Sequence, residues 1–174
     1  DGASVGFIHW TLNNANAYFR GASLSANSTA TPPPSLRLDF NFSGLGTINV
    51  ETGSIVLIAE GSQNIPGATA SGTGGLSKIG GGTLRLNGNH TYSGGFVLHE
   101  GKVIITASGT NTTDSVLASP WGTGTLTLRG GTLDSSSGNG RTVRNPTILD
   151  GNITITSGET NSGSFLWSAG AGQS

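Results

Sequence analysis

At 174 residues and a formal net charge of −1, the chain is long enough to bury the core of one domain. It has no basic excess to spread over nucleic acid or an anionic membrane. Charged residues make up only 10%, against a usual ~25%, while glycine reaches 30 residues, and the lack of cysteine excludes disulfides and thiolate metal sites.

With few charges, the polar surface must be built from Ser, Thr and Asn, which pair along stacked strands without repulsion. Low net charge and many Val, Ile and Thr argue for a folded chain over a disordered one. No apolar run approaches the ~20 residues of a spanning helix, so no membrane insertion by this segment is expected. No signal peptide stands at Asp1 and methionine is absent, so the sequence reads as a processed product or an internal piece of a longer polypeptide. Freedom from cysteine also suits a chain exported through an oxidising space.

In chain order, Gly2-Ala3-Ser4-Val5-Gly6 carries the letters of a hydrolase nucleophile elbow. That elbow needs a strand before and a helix after, and apolar Phe7-Ile8 come next instead, so a flexible start is the better reading. Asn13 to Arg20 is the one stretch that could make a short helix. Residues 1–35, with Pro32-Pro33-Pro34, read as an N-terminal cap, insertion or linker, since a proline run cannot donate to a ladder. Residues 36–174 read as β-solenoid coils.

There the alternation is plain. Leu36, Leu38, Phe40 and Phe42 take every second position, which puts them on one face of a strand. The pattern returns at Thr47–Glu51, Thr83–Asn87, Thr125–Arg129 and Asn152–Thr156. Ile55–Ile58 and Val103–Ile105 are continuous instead, as strands covered on both sides are. Leu84, Ile104, Leu126 and Ile148 recur at intervals of 20, 22 and 22, and a period in the low twenties predicts a solenoid. A lone coil of that length buries too little apolar surface to offset its lost freedom, so several must stack. Asn139-Gly140 is a hairpin signal and leaves a β-sandwich as the alternative.

From Gly74 to Val103 short apolar pieces are cut by glycines at close intervals: Gly75-Leu76-Ser77-Lys78, Gly80-Gly81-Gly82-Thr83-Leu84-Arg85-Leu86, Asn89-His90-Thr91-Tyr92-Ser93-Gly94-Gly95 and Glu100-Gly101-Lys102-Val103. These pieces, in this order, resemble the passenger-associated repeat of bacterial autotransporters. The stretch from Gly122 to Leu133 is similar to the sequence often found downstream of such a repeat. The resemblance implies an all-β, right-handed parallel β-helix at a bacterial cell surface or in the medium, exported through a C-terminal barrel. It also implies coils that fold progressively as the chain emerges.

The candidates for chemistry are few. Polysaccharide-cleaving β-helix enzymes use carboxylate pairs ~5–9.5 Å apart, for which Asp114, Asp134, Asp150 and Glu159 are available. Asp134 and Asp150 both read as turn residues. His9, His90 and His99 lack metal-ligand spacing, and Gly72-Thr73-Gly74-Gly75 lacks the Lys-Ser/Thr of a phosphate loop, so no cofactor is expected. Trp121, in Ser119-Pro120-Trp121-Gly122, is the leading candidate for contact with a sugar or partner, with Tyr92 beside it; a corner-packing role is the weightier alternative for the tryptophan. Trp10 and Trp167, near the two ends, are equally placed to cover open edges or to join neighbouring segments. The Asn-x-Ser/Thr sequons are a by-product of composition.

The expected function is therefore structural: a stalk or scaffold segment, with a part in adhesion and no enzymatic activity. Its partners would be other segments of the same polypeptide or neighbouring subunits, with surface glycans or host cells beyond them. A self-assembling fibre subunit and a polysaccharide-active enzyme are the alternatives.

Overall fold

A computed structural model of the chain describes residues 8–13, 16–19, 36–41, 44–50, 52, 55–58, 70–111, 115–135, 140–156 and 164–168. These form short strands joined by bends, with no helix among them. In chain order the strands are β1 (Ile8–Asn13), β2 (Asn16–Phe19), β3 (Leu36–Asn41), β4 (Gly46–Val50), β5 (Ile55–Ile58), β6 (Ala70–Ser71), β7 (Leu76–Ile79) and β8 (Thr83–Leu86). They continue as β9 (Phe96–Leu98), β10 (Lys102–Ile105), β11 (Thr110–Asn111), β12 (Val116–Ala118), β13 (Leu126–Ser135), β14 (Arg141–Val143), β15 (Thr147–Thr156) and β16 (Phe165–Trp167).

The pairing is that of a coil. On one face β2, β4, β7, β9 and the first halves of β13 and β15 stack in parallel, each on the rung before. On a second face β5, β8, β10 and the second halves of β13 and β15 do the same. β13 and β15 run unbroken across the corner between these faces, with a register shift between Leu128 and Gly130. A third face starts with β1, β3 and β6. It continues through single backbone bonds: Thr91 N donates to the Ala70 carbonyl (2.8 Å), Ser93 N to Gly72 (3.0 Å) and Thr123 N to Tyr92 (2.8 Å).

This is a parallel β-solenoid. The sandwich alternative fails because its strands meet through antiparallel hairpins, whereas parallel neighbours need a full crossover, here one turn of the coil. Among the described residues the antiparallel pairs are β11 with β12 and a single bridge between His90 and Ser119. Asn139 of the hairpin signal lies outside the described residues, as do Pro32–Pro34.

Two expectations are corrected. Asn16–Phe19 is a strand, not part of a helix: it lies along β4, with Ala17 opposite Ile48 and Phe19 opposite Val50. A helix as short as that between Asn13 and Arg20 is marginal alone, and the ladder satisfies its backbone groups instead. Strands of the solenoid thus occur already within the first 35 residues. The second correction concerns register. Leu84 pairs with Val103, not Ile104, and Leu126 sits on the other face, opposite Phe96. True rungs are uneven: Leu76 to Phe96 spans 20 residues, Phe96 to Leu126 spans 30 and Leu126 to Thr147 spans 21. Only some rungs keep the low-twenties period, and its markers straddle two faces.

Inside the coil run columns of aliphatic and aromatic side chains. Leu76, Phe96 and Leu126 form one; Leu84, Val103 and Leu133 another; all six are buried. Ile104, on the outward side between Val103 and Ile105, is buried as well, as the continuous apolar run predicts. For Ile55–Ile58 the backbone alone is described.

Where the third face meets the first, rungs approach backbone to backbone. A Cβ on Gly74 would lie 1.9 Å from the Gly44 carbonyl oxygen, and one on Gly94 would lie 2.4 Å from the Gly74 carbonyl carbon. Only hydrogen fits between such rungs. Gly94→Ala is therefore expected to cost about 1–3 kcal/mol, the range for forcing atoms into a packed interior, read as a lower urea midpoint at unchanged m-value.

Candidate functional site

The corner between the first and second faces contains the least expected residue. Period two places Lys78 on the same side of β7 as Leu76, in the column of Ile48, Leu98 and Leu128. It is fully buried. Its stem packs as the aliphatic side chains above and below do, and its ammonium turns to the corner. There Nζ donates to the carbonyls of Ile79 (3.0 Å), Gly80 (2.5 Å) and Glu100 (3.1 Å). Burial pushes its pKa down to about 8, with Glu100 pulling the other way, so the amine is still charged at neutral pH.

The geometry explains the need for a cation. From Ile79 to Thr83 the chain turns too sharply for strand pairing, and turn carbonyls point inward. Three N–H donors on one ammonium satisfy three acceptors drawn from two successive rungs. Glu100 completes the clamp from outside, its Oε1 accepting the Gly80 N–H at 2.9 Å. The next residue leaves no room for a side chain: Gly101 has φ +74, and a Cβ there would lie 2.3 Å from the Gly80 oxygen and 2.7 Å from Lys78 Nζ.

Asn145 does similar work at another corner. Its Nδ2 donates to the carbonyls of Gly122 (3.1 Å) and Gly124 (2.8 Å) one rung earlier.

The third face is lined by His90, Tyr92 and Trp121, all buried. Trp121 tilts against Phe96 with ring centroids 5.8 Å apart, and His90 stacks on Tyr92 at 6.3 Å. Ser119 shapes the tryptophan's turn: its Oγ accepts the Trp121 N–H at 3.1 Å and donates to the Gly122 carbonyl at 2.5 Å. Trp121 and Tyr92, singled out for ligand or partner contact, thus sit with their rings in the core, the corner-packing position. Trp167 stands at the far end, its Nε1 donating to Thr147 Oγ1 at 3.2 Å.

Of the carboxylates, Asp134 is buried on the outward side, 2.5 Å from Lys102 Nζ. Asp150 is exposed at the corner of β15, 3.0 Å from Arg129 Nε. Each is committed to a cation rather than to a second carboxylate. Asp114 and Glu159 lie outside the described residues, as do Ser4 and its elbow. Among the described residues no three His, Asp or Glu side chains gather as metal ligands.

Short parallel rungs, backbone-to-backbone glycine corners and a buried lysine clamp define a glycine-cornered β-solenoid. Residues 76–105 match the family model of the passenger-associated-transport-repeat, which supports an autotransporter passenger repeat in this segment. The match begins at β7 and ends with β10, so it covers the two rungs that Lys78 ties together, within two residues of the 74–103 span expected from the sequence. No curated protein and no solved structure matches the chain.

The clamp predicts an asymmetry. Lys78→Met keeps the stem but strands up to three carbonyls, and is expected to cost about 2–4 kcal/mol in urea unfolding. Glu100→Gln leaves an amide oxygen to accept the exposed Gly80 N–H, and is expected to cost under about 1 kcal/mol.

Proposed function

We propose that this chain is a structural segment of a bacterial cell-surface or secreted autotransporter-like protein, a stalk or scaffold that takes part in adhesion and has no chemistry of its own. The observation that carries the reading is the passenger repeat set as two clamped rungs within a continuous parallel stack. A passenger repeat belongs to proteins that are exported to the surface or beyond. The two described carboxylates weighed for polysaccharide cleavage, Asp134 and Asp150, are each ion-paired with a cation, which favours a structural role for them. Its partners on this reading are other segments of the same polypeptide, with surface glycans or host cells as the adhesive targets.

One observation also fits a second reading, the fibre subunit. In the last described coil the layer that would face a further rung is open: Leu149 is 67% exposed, Ile155 48%, Leu166 62% and Trp167 37%. A stalk would continue through that layer within one polypeptide, whereas a fibre would continue through it between copies.

The mass of the native polypeptide carrying this sequence, taken from cell surface and medium, separates the two. A mass far above 17.4 kDa is expected. A mass near 17.4 kDa would overturn the stalk reading and put the fibre first. Sugar release that is lost on Asp134→Asn or Asp150→Asn would overturn the non-enzymatic part.

A further inference from the structure

His90 holds together three rungs on the third face, and it does so through a hydrogen bond of fixed polarity. Its Nδ1 accepts the backbone N–H of Ala70 from the rung before, at 3.2 Å. Its backbone N–H donates to the Ser119 carbonyl on the rung after (2.8 Å), and Ser119 N–H donates back to the His90 carbonyl (3.1 Å). Ser119 is where the longest described excursion, with its small β11–β12 hairpin, rejoins the coil. An imidazole that accepts at Nδ1 must be neutral and carry its proton on Nε2. That Nε2 is buried and has no partner among the described residues.

We propose that His90 is an acid-labile clasp: a proton taken up at Nδ1 parts the rungs along the third face and frees the β11–β12 excursion, while the first and second faces stay stacked. The polarity dictates the outcome. A protonated Nδ1 would point a donor at the Ala70 N–H, turning an attraction into a repulsion, and no counterion for the new charge stands on the described residues packed against the ring. β6 brings no charged side chain to the ring, and neither does the 119–123 segment. Tyr92 is the titratable group stacked on it, and burial holds that phenol well above its usual pKa.

The pH window comes from the same burial, which lowers the His90 pKa to about 4 from an ordinary 6.5. Between these values the unfolded or opened form binds the proton and the closed form does not. Stability on the third face is therefore full above pH 6.5 and falls as pH drops towards 4. On the first and second faces the buried charged groups among the described residues are Lys78, which stays protonated throughout this range, and Asp134, which is ion-paired with Lys102 rather than hydrogen-bonded to a rung's N–H as His90 is.

Amide hydrogen exchange at about pH 7 and about pH 3.5, corrected for intrinsic rates, tests the clasp. The Thr91, Ser93 and Thr123 amides are expected to lose protection at least ~10-fold at acid pH, while the first-face Leu76 and Phe96 amides, distant from the Lys102–Asp134 pair, keep theirs. Equal protection at both pH values, or loss on all faces together, would overturn the proposal. In His90→Gln the acid-dependent loss is expected to vanish, and its persistence would also overturn it. Should that variant fail to fold, the ¹⁵N shift of Nδ1 in the unaltered chain decides: titration with the third-face amides supports the clasp, and a midpoint near the ordinary 6.5 sinks it.

Discussion

The corner is the constraint on which everything else depends. A parallel stack of short rungs has to change direction between faces within a few residues, directly above a neighbour doing the same. At that spacing neither side chains nor unpaired carbonyls can be accommodated freely. Glycine answers the first difficulty at Gly74 and Gly94, where only hydrogen separates adjacent backbones. Lys78 and Asn145 answer the second by lending side-chain N–H groups to carbonyls of neighbouring rungs. High glycine content and a lysine in an aliphatic column are two responses to one geometric demand.

Much of this is legible in the sequence, because alternation reports faces directly. Thr83–Leu86 and Leu126–Leu128 bury their leucines as period two requires. Register is less legible. Leu84, Ile104, Leu126 and Ile148 suggest an even coil, but a 30-residue rung between two shorter ones shifts later residues to another face. Nothing in an apolar run states which neighbour it pairs with, since Val103, Ile104 and Ile105 are all buried. Asn16–Phe19 fails as a helix for a related reason: its partner, β4, lies some thirty residues away, beyond the reach of local propensity.

The site is half-legible. Trp121 is a lone aromatic between proline and glycine, and only the fold shows that its turn points inward to Phe96. Lys78 could have been found: Leu76-Ser77-Lys78 already places the lysine on the leucine's side of the strand, and a charge at a core position signals buried acceptors. The carbonyls it meets belong to turns separated by about twenty residues, so their identity needed the stack. Low overall charge takes on a local meaning here as well. Two ion pairs stand between rungs and at a corner, Lys102 with Asp134 and Arg129 with Asp150.

The direction of the ladder bonds has a mechanical consequence. Bonds between parallel rungs lie across the strands and hence along the axis of the coil. Tension applied between the two ends of the stack therefore pulls on them end to end, and the outermost rung carries the load first. Such an assembly yields by peeling from an end, at a force set by one rung rather than by their number. Adding rungs extends its reach without raising its breaking strength, and a rung clasped to its neighbour by a buried ammonium is the natural place for peeling to pause.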